Sequence, residues 1–600
     1  MPNDVAEIFC KTRFDYIIIG GGTAGLVVAA RLSEDNSVNV GVIDAGELRL
    51  DDPIISIPML SGVARDNPTY DWLFETAPQT FLNDRVIRWP RGKVVGGSSS
   101  IHNHVLIRAS PEEYDDWEAL GNKGWNWEGL APYFKKTETF RPIPGGHASL
   151  RKAYTTTNHG HDGPLQTTIS DDLNESNKLW IPTWNNLGIQ TAQTGDDSIL
   201  GTQFTKSSID YTTGTRSSAL SAYYAPNANR PNLHLLSNAL VSRIVFSGHA
   251  ESKLTATAVE FTFGDKLYEV KAHVEVILCA GVVKSPTILE LSGIGSGSIL
   301  EANGITTLID NPGVGENLQD HAFTISSHQV FDSKYSLDPL SSSPELAEKS
   351  MEEYKASKTG FFACASNAAT YVSNFQIDDS MPEKSGLDDT YRLPGLKKQY
   401  DLQVARLANP KVPTFQFVLA PAYLAQLIPV PKPVGAKDCL SIMNCVSSPF
   451  SRGSIHIRSA DPDDHPIIDP RYLEHHLDHD LFVKASRYGL KCASTAPLSE
   501  AIEKSILPAA PLSTDEEYTS FVKKTLGTFY HHIGTCSMLP LEDGGVVDYN
   551  LVVYGTTNLR VVDASIIPLH ISGNIQWTVY AVAEKAADII KGTKHACKVK

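Results

Sequence analysis

The feature that most constrains this chain is a glycine-rich turn between two short apolar runs near its start. The first run, FDYIIIG at residues 14–20, is rich in β-branched residues and is typical of a buried parallel strand. Gly20, Gly22 and Gly25 follow in GGGTAG, and LVVAARL then shows helical apolar spacing. A second strand-like run, VNVGVI, ends at Asp44. This order of strand, glycines, helix, strand and acid predicts a dinucleotide-binding unit of an α/β fold.

Each residue of this unit has a predicted role. Gly20 permits the tight turn, Gly22 lets the backbone approach a pyrophosphate, and Gly25 lets the helix pack closely against the strand. The helix N-terminus then faces the phosphates. Asp44 is placed to accept a hydrogen bond from a ribose hydroxyl, which disfavours a 2'-phosphate and hence NADP. An acid at this position is compatible with either NAD or FAD, so it does not identify which of the two binds.

Composition narrows the classes of partner. The chain has 600 residues, 42% of them hydrophobic, which is enough for one large or two ordinary domains with buried cores. The 52 Lys and Arg against 68 Asp and Glu give a net charge of -16, so no nucleic-acid partner is expected. The apolar stretches fall far short of the roughly 20 residues that a membrane span needs, so no membrane partner is expected either.

The N-terminus and the cysteines bear on the compartment. The opening residues, MPNDVAEIFCKTRF, lack the pattern of a secretory signal, and the chain does not end in an SKL-type peroxisomal signal. Eight cysteines are scattered singly, with no CxxC motif and no sign of a disulfide framework or zinc ribbon. We therefore expect a cytoplasmic protein with reduced thiols.

Segments along the rest of the chain resemble the signatures of the glucose-methanol-choline (GMC) oxidoreductase family. They are RGKVVGGSSSIHNHVLIRASPEEYDDW at 91–117, VEVILCAGVVKSPTILELSGIG and NPGVGENLQDH within 274–321, HHIGTCSM at 531–538, and NLRVVDASIIP through NIQWTVY within 546–580. They occur in the family's order, so the resemblance spans nearly the whole chain. The stretches GGSSSIH and GWNWE are most similar to the aryl-alcohol oxidase branch.

The resemblance implies an α/β fold, α+β overall, in which a Rossmann-type FAD-binding domain is interleaved with a substrate domain built on an antiparallel sheet. Both domains are discontinuous. We expect FAD-binding segments at 12–50, 85–110, 225–325 and 545–595, and substrate-domain segments at 51–84, 111–224 and 326–544.

FAD is the cofactor that the resemblance implies. In some members a histidine four residues after the second glycine of the GGSS loop bonds to the flavin; here that residue is Ile101, and His102 is one position off. Isoleucine cannot form the bond, so non-covalent FAD is predicted. The residues expected to bind the cofactor are Gly20, Gly22, Thr23, Ala24, Gly25, Asp44, Ala45, Gly97, Ser98, His102, Asn103, Val105, Val241, Asp563, Ala564 and Gln576.

The resemblance also implies the catalytic residues. The family's base is the histidine of an H-x-x-G-T-x-x-M pattern, here His531, and its partner is a His or Asn that here is Asn574. Histidine suits the role because its ordinary pKa is about 6.5. His532 stands where many members have proline, which leaves open which of the two histidines faces the flavin. The residues expected to line the substrate site are Asn103, Tyr530, His532 and Trp577.

The expected reaction is oxidation of an alcohol to an aldehyde or ketone. Hydride passes from the substrate carbon to flavin N5, His531 takes the hydroxyl proton, and oxygen or another acceptor reoxidises the flavin. A role in intracellular secondary metabolism, as a monomer or homodimer, is expected. Two alternatives stay open: a flavin-retaining lyase or cyclase that runs no redox reaction, and a binding protein without activity. Which alcohol is oxidised depends on the lining of the substrate site, which the sequence does not give.

Two further features have simpler interpretations than a second site. His475 and His479 have the spacing of metal ligands on one helix face, but the acidic flank favours a solvated helix face, so no metal is expected. Cys536 lies near His531, where a small buried thiol is favoured over a nucleophile.

Overall fold

The glycine turn joins two strands of a seven-stranded sheet, here called the first sheet, in the computed structural model of the chain. The structure describes residues 2–141, 159–169, 174–192, 198–248, 253–364, 368–377, 393–428 and 430–598. In spatial order the strands of the first sheet are Leu233–Leu236, Val40–Ile43, Phe14–Ile19, Lys266–Leu278, Thr255–Phe263 and Ala239–Ser247, with Leu559–Val561 also pairing with Lys266–Leu278.

The first sheet is parallel on one side and antiparallel on the other. Phe14–Ile19 pairs in parallel with Val40–Ile43 and with Lys266–Leu278. The strands Phe14–Ile19 and Val40–Ile43 are almost fully buried. The strands Lys266–Leu278, Thr255–Phe263 and Ala239–Ser247 run antiparallel. The parallel strands come from three distant segments of the chain, as the predicted interleaved Rossmann-type domain requires.

Two helices from opposite ends of the chain cover this sheet together. The helix Thr23–Leu32 buries nearly every residue, and the helix Ile575–Lys598 packs against it. Arg31 Nη2 lies 2.7 Å from Glu584 Oε1, whose side chain is fully buried. A buried carboxylate needs such a partner, so this ion pair fixes how the two helices meet.

A second seven-stranded sheet is antiparallel throughout, as expected for the substrate domain. In spatial order its strands are Ile502–Leu507, Ala322–Val330, Cys439–Val446, Phe415–Ala420, Ala368–Val372 and Gly201–Phe204, with Gly527–Thr528 also pairing with Ala322–Val330. Strands Ala322–Val330 and Phe415–Ala420 are buried along their whole length, so both faces of this part of the sheet are covered.

The remaining elements connect and cover the two sheets. Two-stranded pairings join Phe74–Glu75 with Arg88–Trp89, Glu138–Phe140 with Leu165–Thr167, Ile209–Asp210 with Thr215–Arg216, Ile294–Gly295 with Ile309–Asp310, and Ser454–His456 with Ile467–Asp469. Within the described residues the other α-helices are Pro2–Lys11, Pro53–Ser56, Pro111–Ala119, Trp127–Thr137, Glu175–Asn186, Gly281–Leu291, Gly297–Ala302, Asp338–Ser342, Pro344–Ser357, Asn374–Ile377, Leu396–Leu407, His476–Ala493, Leu498–Ala501 and Asp515–Thr525. Among the described residues, no helix has both the length and the apolar character needed to cross a bilayer.

Candidate active site

A cavity of about 530 Å³ lies between the two sheets. The carboxyl ends of parallel strands in the first sheet contribute Gly20, Asp44 and Cys279, and the second sheet contributes Val418 and Met443 from two of its central strands. Ligands of open α/β sheets bind outside the carboxyl ends of the strands, which is where this cavity lies.

Two glycine-rich loops meet at one wall of the cavity. A Cβ atom at Gly25 would lie 1.9 Å from the Gly20 carbonyl oxygen, so the helix packs on the strand only because Gly25 has no side chain. Gly97 has φ +53° and a Cβ atom there would lie 2.8 Å from Gly22 Cα. Gly96 N donates to Gly21 O at 2.7 Å. The loops therefore form a cradle of bare backbone that any side chain would fill.

Asp44 organises this cradle. Its carboxylate accepts hydrogen bonds from the backbone N–H of Gly21 and of Gly46, each at 2.7 Å. Burial raises the pKa of Asp44 to about 6, although both N–H groups favour the charged form. Asp44 also lines the cavity, so the residue predicted to contact a ribose holds the glycine turn as well.

Buried polar atoms without partners face the cavity next to the cradle. His102 Nδ1 accepts from His104 N and from Arg216 Nη1, and burial next to Arg216 lowers the pKa of His102 to about 3. The neutral ring therefore carries its proton on Nε2, which completes no hydrogen bond of good geometry. Gln576 Oε1 beside it is also buried without a partner, while Gln576 Nε2 donates to Val105 O.

These observations fit FAD. His102 Nε2 and Gln576 Oε1 lie side by side, and neither completes a hydrogen bond of good geometry within the protein, so this wall can pair with a polar ligand. Every residue predicted to bind the cofactor lines the cavity except Gly25, which acts through helix packing. The Asp563 carboxylate is already engaged: it accepts from Gly281 N and Ser285 Oγ at the start of the helix Gly281–Leu291.

His531 and Asn574 meet at another part of the cavity wall. Asn574 Nδ2 lies 3.0 Å from His531 Nε2, and Asn574 Oδ1 is buried with no hydrogen-bond partner. The backbone of His531 is held on both sides, because its N–H donates to Asp320 Oδ1 at 3.0 Å and its carbonyl accepts from His570 Nε2 at 2.8 Å. Tyr530, just before it, adopts φ +65°, a conformation that costs energy and recurs at functional sites.

A chain of hydrogen bonds sets the tautomer of His531. His321 Nε2 lies 2.8 Å from the Ser447 carbonyl, which can only accept, so Nε2 carries the His321 proton. Burial lowers the pKa of His321 to about 4, so the ring is neutral and its Nδ1 is an acceptor. His531 Nδ1, 2.9 Å away, must therefore donate to it. His531 consequently presents a lone pair at Nε2, on the side of Asn574.

The electrostatic surroundings keep His531 neutral. Burial, together with the neighbouring His321 and His570 rings, places the pKa of His531 well below its usual value. A neutral imidazole whose Nε2 lone pair is engaged only by the Asn574 amide can take a proton from a hydroxyl group, while the amide then binds the oxygen.

His532 is turned to a different set of contacts. Its ring stacks on Trp89 with centroids 3.5 Å apart, and its Nδ1 lies 3.0 Å from Asp320 Oδ1. Asp320 also accepts from the Tyr472 hydroxyl. His532 reaches the cavity wall, but of the two adjacent histidines His531 is the one paired with Asn574.

Two predictions are wrong in detail. Gln576 and Val579 line the cavity, but Trp577 does not, because its side chain leaves the helix in a different direction. Its Nε1 donates to Thr137 Oγ1, and Lys206 Nζ lies 3.4 Å from its ring centroid. His475 is not on a solvated helix face: it caps the helix His476–Ala493 by accepting from Leu477 N, and stacks on Phe450.

Sequence reasoning missed several residues of the site. Asp320 and His321 end the motif NPGVGENLQDH, yet no role was assigned to them, although an Asp-His pair at the end of a family signature is itself a signal. Gln416 and Phe529 line the cavity and carry no motif. Cys536 is fully buried and burial raises the pKa of its thiol well above the usual value, which suits a packing role.

Comparison with known proteins agrees with this geometry. Sequence models described as GMC oxidoreductase match residues 14–323 and 449–583. The chain is 37% identical over 611 residues to dehydrogenase mpl7 of Monascus purpureus, covering 97% of each protein. An FAD-dependent oxidoreductase from Chaetomium thermophilum is similar with a TM-score of 0.86 at 29% identity, over 97% of this chain and 100% of that one. A fungal aryl-alcohol oxidase is similar with a TM-score of 0.81 at 27% identity, over 96% and 98%.

Proposed function

The chain belongs to the GMC oxidoreductase family, and from this premise we propose that it oxidises an alcohol to an aldehyde or ketone with FAD as cofactor. The observation that carries the proposal is the pairing of His531 Nε2 with the Asn574 amide in the cavity that the glycine cradle borders. When bound, FAD supplies the acceptor for the hydride that leaves the substrate carbon.

The residues of this chain have separate tasks in the reaction. His531 Nε2 takes the hydroxyl proton, and the imidazolium that forms remains beside the developing alkoxide-like oxygen. The amide of Asn574 orients that oxygen but cannot take the proton itself. Asn574 is buried and His531 is half-buried in the cavity wall, so a substrate that fills the cavity excludes the remaining water and strengthens both interactions.

Non-covalent attachment of FAD is part of the proposal. Ile101, at the family's attachment position, is buried in an apolar cluster with Ile55, Tyr70 and Val94, and has no atom that could bond to the cofactor. His102, the next residue, has its Nδ1 engaged by Arg216. Precipitating the purified protein with acid is expected to release yellow flavin into the supernatant. A flavin that stays with the pellet contradicts this part of the proposal.

The test of the function is anaerobic mixing of the purified holoenzyme with a panel of primary alcohols. We expect the oxidised-flavin absorbance to bleach with at least one alcohol, and the corresponding aldehyde to appear in equal amount. Readmitting air then separates an oxidase from a dehydrogenase. The variant His531→Ala is expected to keep its FAD but to lose bleaching by at least 1000-fold. Bleaching at the wild-type rate in that variant contradicts the assignment of the base.

A further inference from the structure

The part of the cavity next to His531 is walled by aromatic and aliphatic side chains. The ring of Phe529 lies 5.0 Å from that of His531 and 5.7 Å from that of Phe323, measured between centroids. Phe529 and Met443 both pack against the buried cluster that contains Val418 of the second sheet. A substrate whose hydroxyl group meets His531 therefore has its remaining atoms against this sheet.

Residues of four adjacent strands of the second sheet line the cavity. They are Phe323, Ala369, Met443, Gln416, Val418 and Ala420. Val418 lies directly opposite Met443 on one side and Ala369 on the other, so these three side chains form a continuous apolar row. Leu424 and Leu427 extend the apolar wall beyond the strands. Of the six strand residues, Gln416 alone is polar.

This wall disfavours a polyhydroxylated substrate. Each sugar hydroxyl pressed against it would lose its bonds to water without gaining a partner, at about 1–3 kcal/mol for each group. An aromatic ring has no hydrogen bonds to water to lose, and binding is stabilised when its faces are removed from water. The wall therefore favours an aromatic ring next to the carbinol.

Gln416 interrupts this wall with an unused acceptor. Its side chain is 2% exposed, and its Nε2 donates to the Tyr371 hydroxyl at 2.9 Å. Within the described residues, its Oε1 forms no hydrogen bond. Two residues along a strand advance roughly 7 Å, and Gln416 lies on the side of Val418 that is nearer to Ser447, whose carbonyl binds the His321 ring beside His531.

We propose that the substrate is an aromatic alcohol whose ring also carries a hydrogen-bond donor, such as a phenolic hydroxyl, and that this group donates to Gln416 Oε1. The inference rests on the proposed function for the oxidised group and adds a second point of recognition. The carbinol meets His531 and Asn574, the ring lies against Val418 and Met443, and the donor satisfies an amide oxygen that the fold leaves free.

The experiment compares matched alcohols on the holoenzyme under anaerobic conditions. The panel is benzyl alcohol, 3- and 4-hydroxybenzyl alcohol, the matching methoxybenzyl alcohols, which cannot donate, and glucose. We expect at least one hydroxybenzyl alcohol to reduce the flavin with a second-order rate constant about tenfold above those of benzyl alcohol and its own methoxy analogue, the value of one added hydrogen bond. Glucose is expected to be at least 1000-fold poorer.

Two variants separate recognition from folding. Gln416→Leu is expected to bring the hydroxybenzyl-to-benzyl ratio down to about one. The matched control is Gln203→Leu, since Gln203 is a buried amide in the same sheet that does not line the cavity, and it should leave the ratio unchanged. A ratio near one in the wild type, a ratio that survives in Gln416→Leu, or efficient reduction by glucose overturns the proposal.

Binding provides a readout that does not depend on turnover. Calorimetric titration of the oxidised holoenzyme with hydroxybenzaldehydes and with benzaldehyde should show the same tenfold preference, again lost in Gln416→Leu. If no alcohol bleaches the flavin but this preference is present, the proposed oxidation fails while recognition by Gln416 stands. If alcohols bleach the flavin and neither readout shows the preference, recognition by Gln416 fails while the oxidation stands.

Discussion

His321 Nδ1 lies 2.9 Å from His531 Nδ1, so the candidate base is oriented by a second neutral imidazole. Many catalytic histidines are oriented by a carboxylate, which fixes the tautomer and stabilises the imidazolium. Here the nearest carboxylate, Asp320, binds the backbone N–H of His531 instead of its ring. In the proposed reaction the imidazolium of His531 keeps its Nδ1–H bonded to His321, whose own proton is held by the Ser447 carbonyl.

Removing the acceptor at position 321 should therefore slow the reaction. In His321→Leu the His531 proton is free to move to Nε2, which removes the lone pair, and we expect flavin reduction to slow by about 100-fold or more with FAD still bound. His321→Asn offers an amide oxygen to His531 Nδ1 and should recover much of the rate. Stopped-flow absorbance with a saturating alcohol measures all three proteins.

A matched control separates this effect from the loss of a buried histidine. His328 lies on the strand that begins directly after His321, is also buried, and hydrogen-bonds to Ser326 away from the cavity, so His328→Leu should retain the wild-type rate of flavin reduction. The orientation argument is wrong if His328→Leu is as slow as His321→Leu, or if Asn at 321 is no better than Leu.

The pH dependence of flavin reduction follows from the low pKa of His531. Burial and the neighbouring imidazoles keep this group unprotonated, so the active form of the base persists to lower pH than for an exposed histidine. We expect the second-order rate constant for flavin reduction to be flat from pH 8 down to below pH 6. A fall centred near pH 6.5 would show that His531 titrates as an ordinary histidine and contradicts the prediction.

Replacing Gly25 should damage both stability and cofactor binding. The Cβ atom of Gly25→Ala would meet the Gly20 carbonyl oxygen at 1.9 Å, so the helix must move away from the strand that ends at the cradle. We expect a loss of about 2–3 kcal/mol in unfolding free energy and a preparation with much less bound flavin. At Gly297 the nearest atom to an added Cβ is 3.6 Å away, so Gly297→Ala is the control and should change neither quantity measurably.

His456 makes the stability depend on pH in the alkaline range. Its ring lies 2.7 Å from Glu290 and 3.1 Å from Glu316, and although burial acts against the charge, the two carboxylates raise the pKa of His456 to about 9. A raised pKa means that the contribution is fully present below about pH 6.5, the value in the unfolded chain, and is lost as the pH rises through 9.

We therefore expect roughly 3 kcal/mol of unfolding free energy attributable to His456 to disappear between pH 6.5 and pH 10. Denaturant titrations at several pH values measure this loss. Over the same pH interval, His456→Gln should lose less unfolding free energy than the wild type, and the difference should equal the contribution of His456, since glutamine has no proton to lose there. Equal losses in both proteins contradict the prediction.

Local pattern was sufficient for the cofactor side of the cavity. The strand, the glycines and Asp44 lie within 31 consecutive residues, so their spacing alone placed them together. Position within a motif was not sufficient for Trp577, since neighbouring residues on a helix point in directions about 100° apart. Only the fold separates Gln576, which lines the cavity, from Trp577, which packs under it.

The substrate side depends on contacts that no local pattern reports. His321 and His531 are 210 residues apart, and Asp320 reaches His531 only because two strands of the second sheet pair. Gln416 and Val418 share one face of a strand that is buried on both faces, so the sequence gives no sign of which face borders the cavity. The sequence therefore indicated the chemistry of the site more fully than the shape of its substrate.

The helix Ile575–Lys598 and the strand Leu559–Val561 complete the first sheet and its cover from the far end of the chain. Asn574 and Gln576, which line the cavity, lie at the start of this helix. While the protein is being synthesised, the glycine turn leaves the ribosome early. The first sheet then still lacks a strand and a covering helix, and His531 still lacks Asn574, until translation is nearly over. With the proposed function, the cofactor site is therefore complete only when the whole chain has been synthesised, and we expect a fragment that ends before residue 559 to bind no flavin.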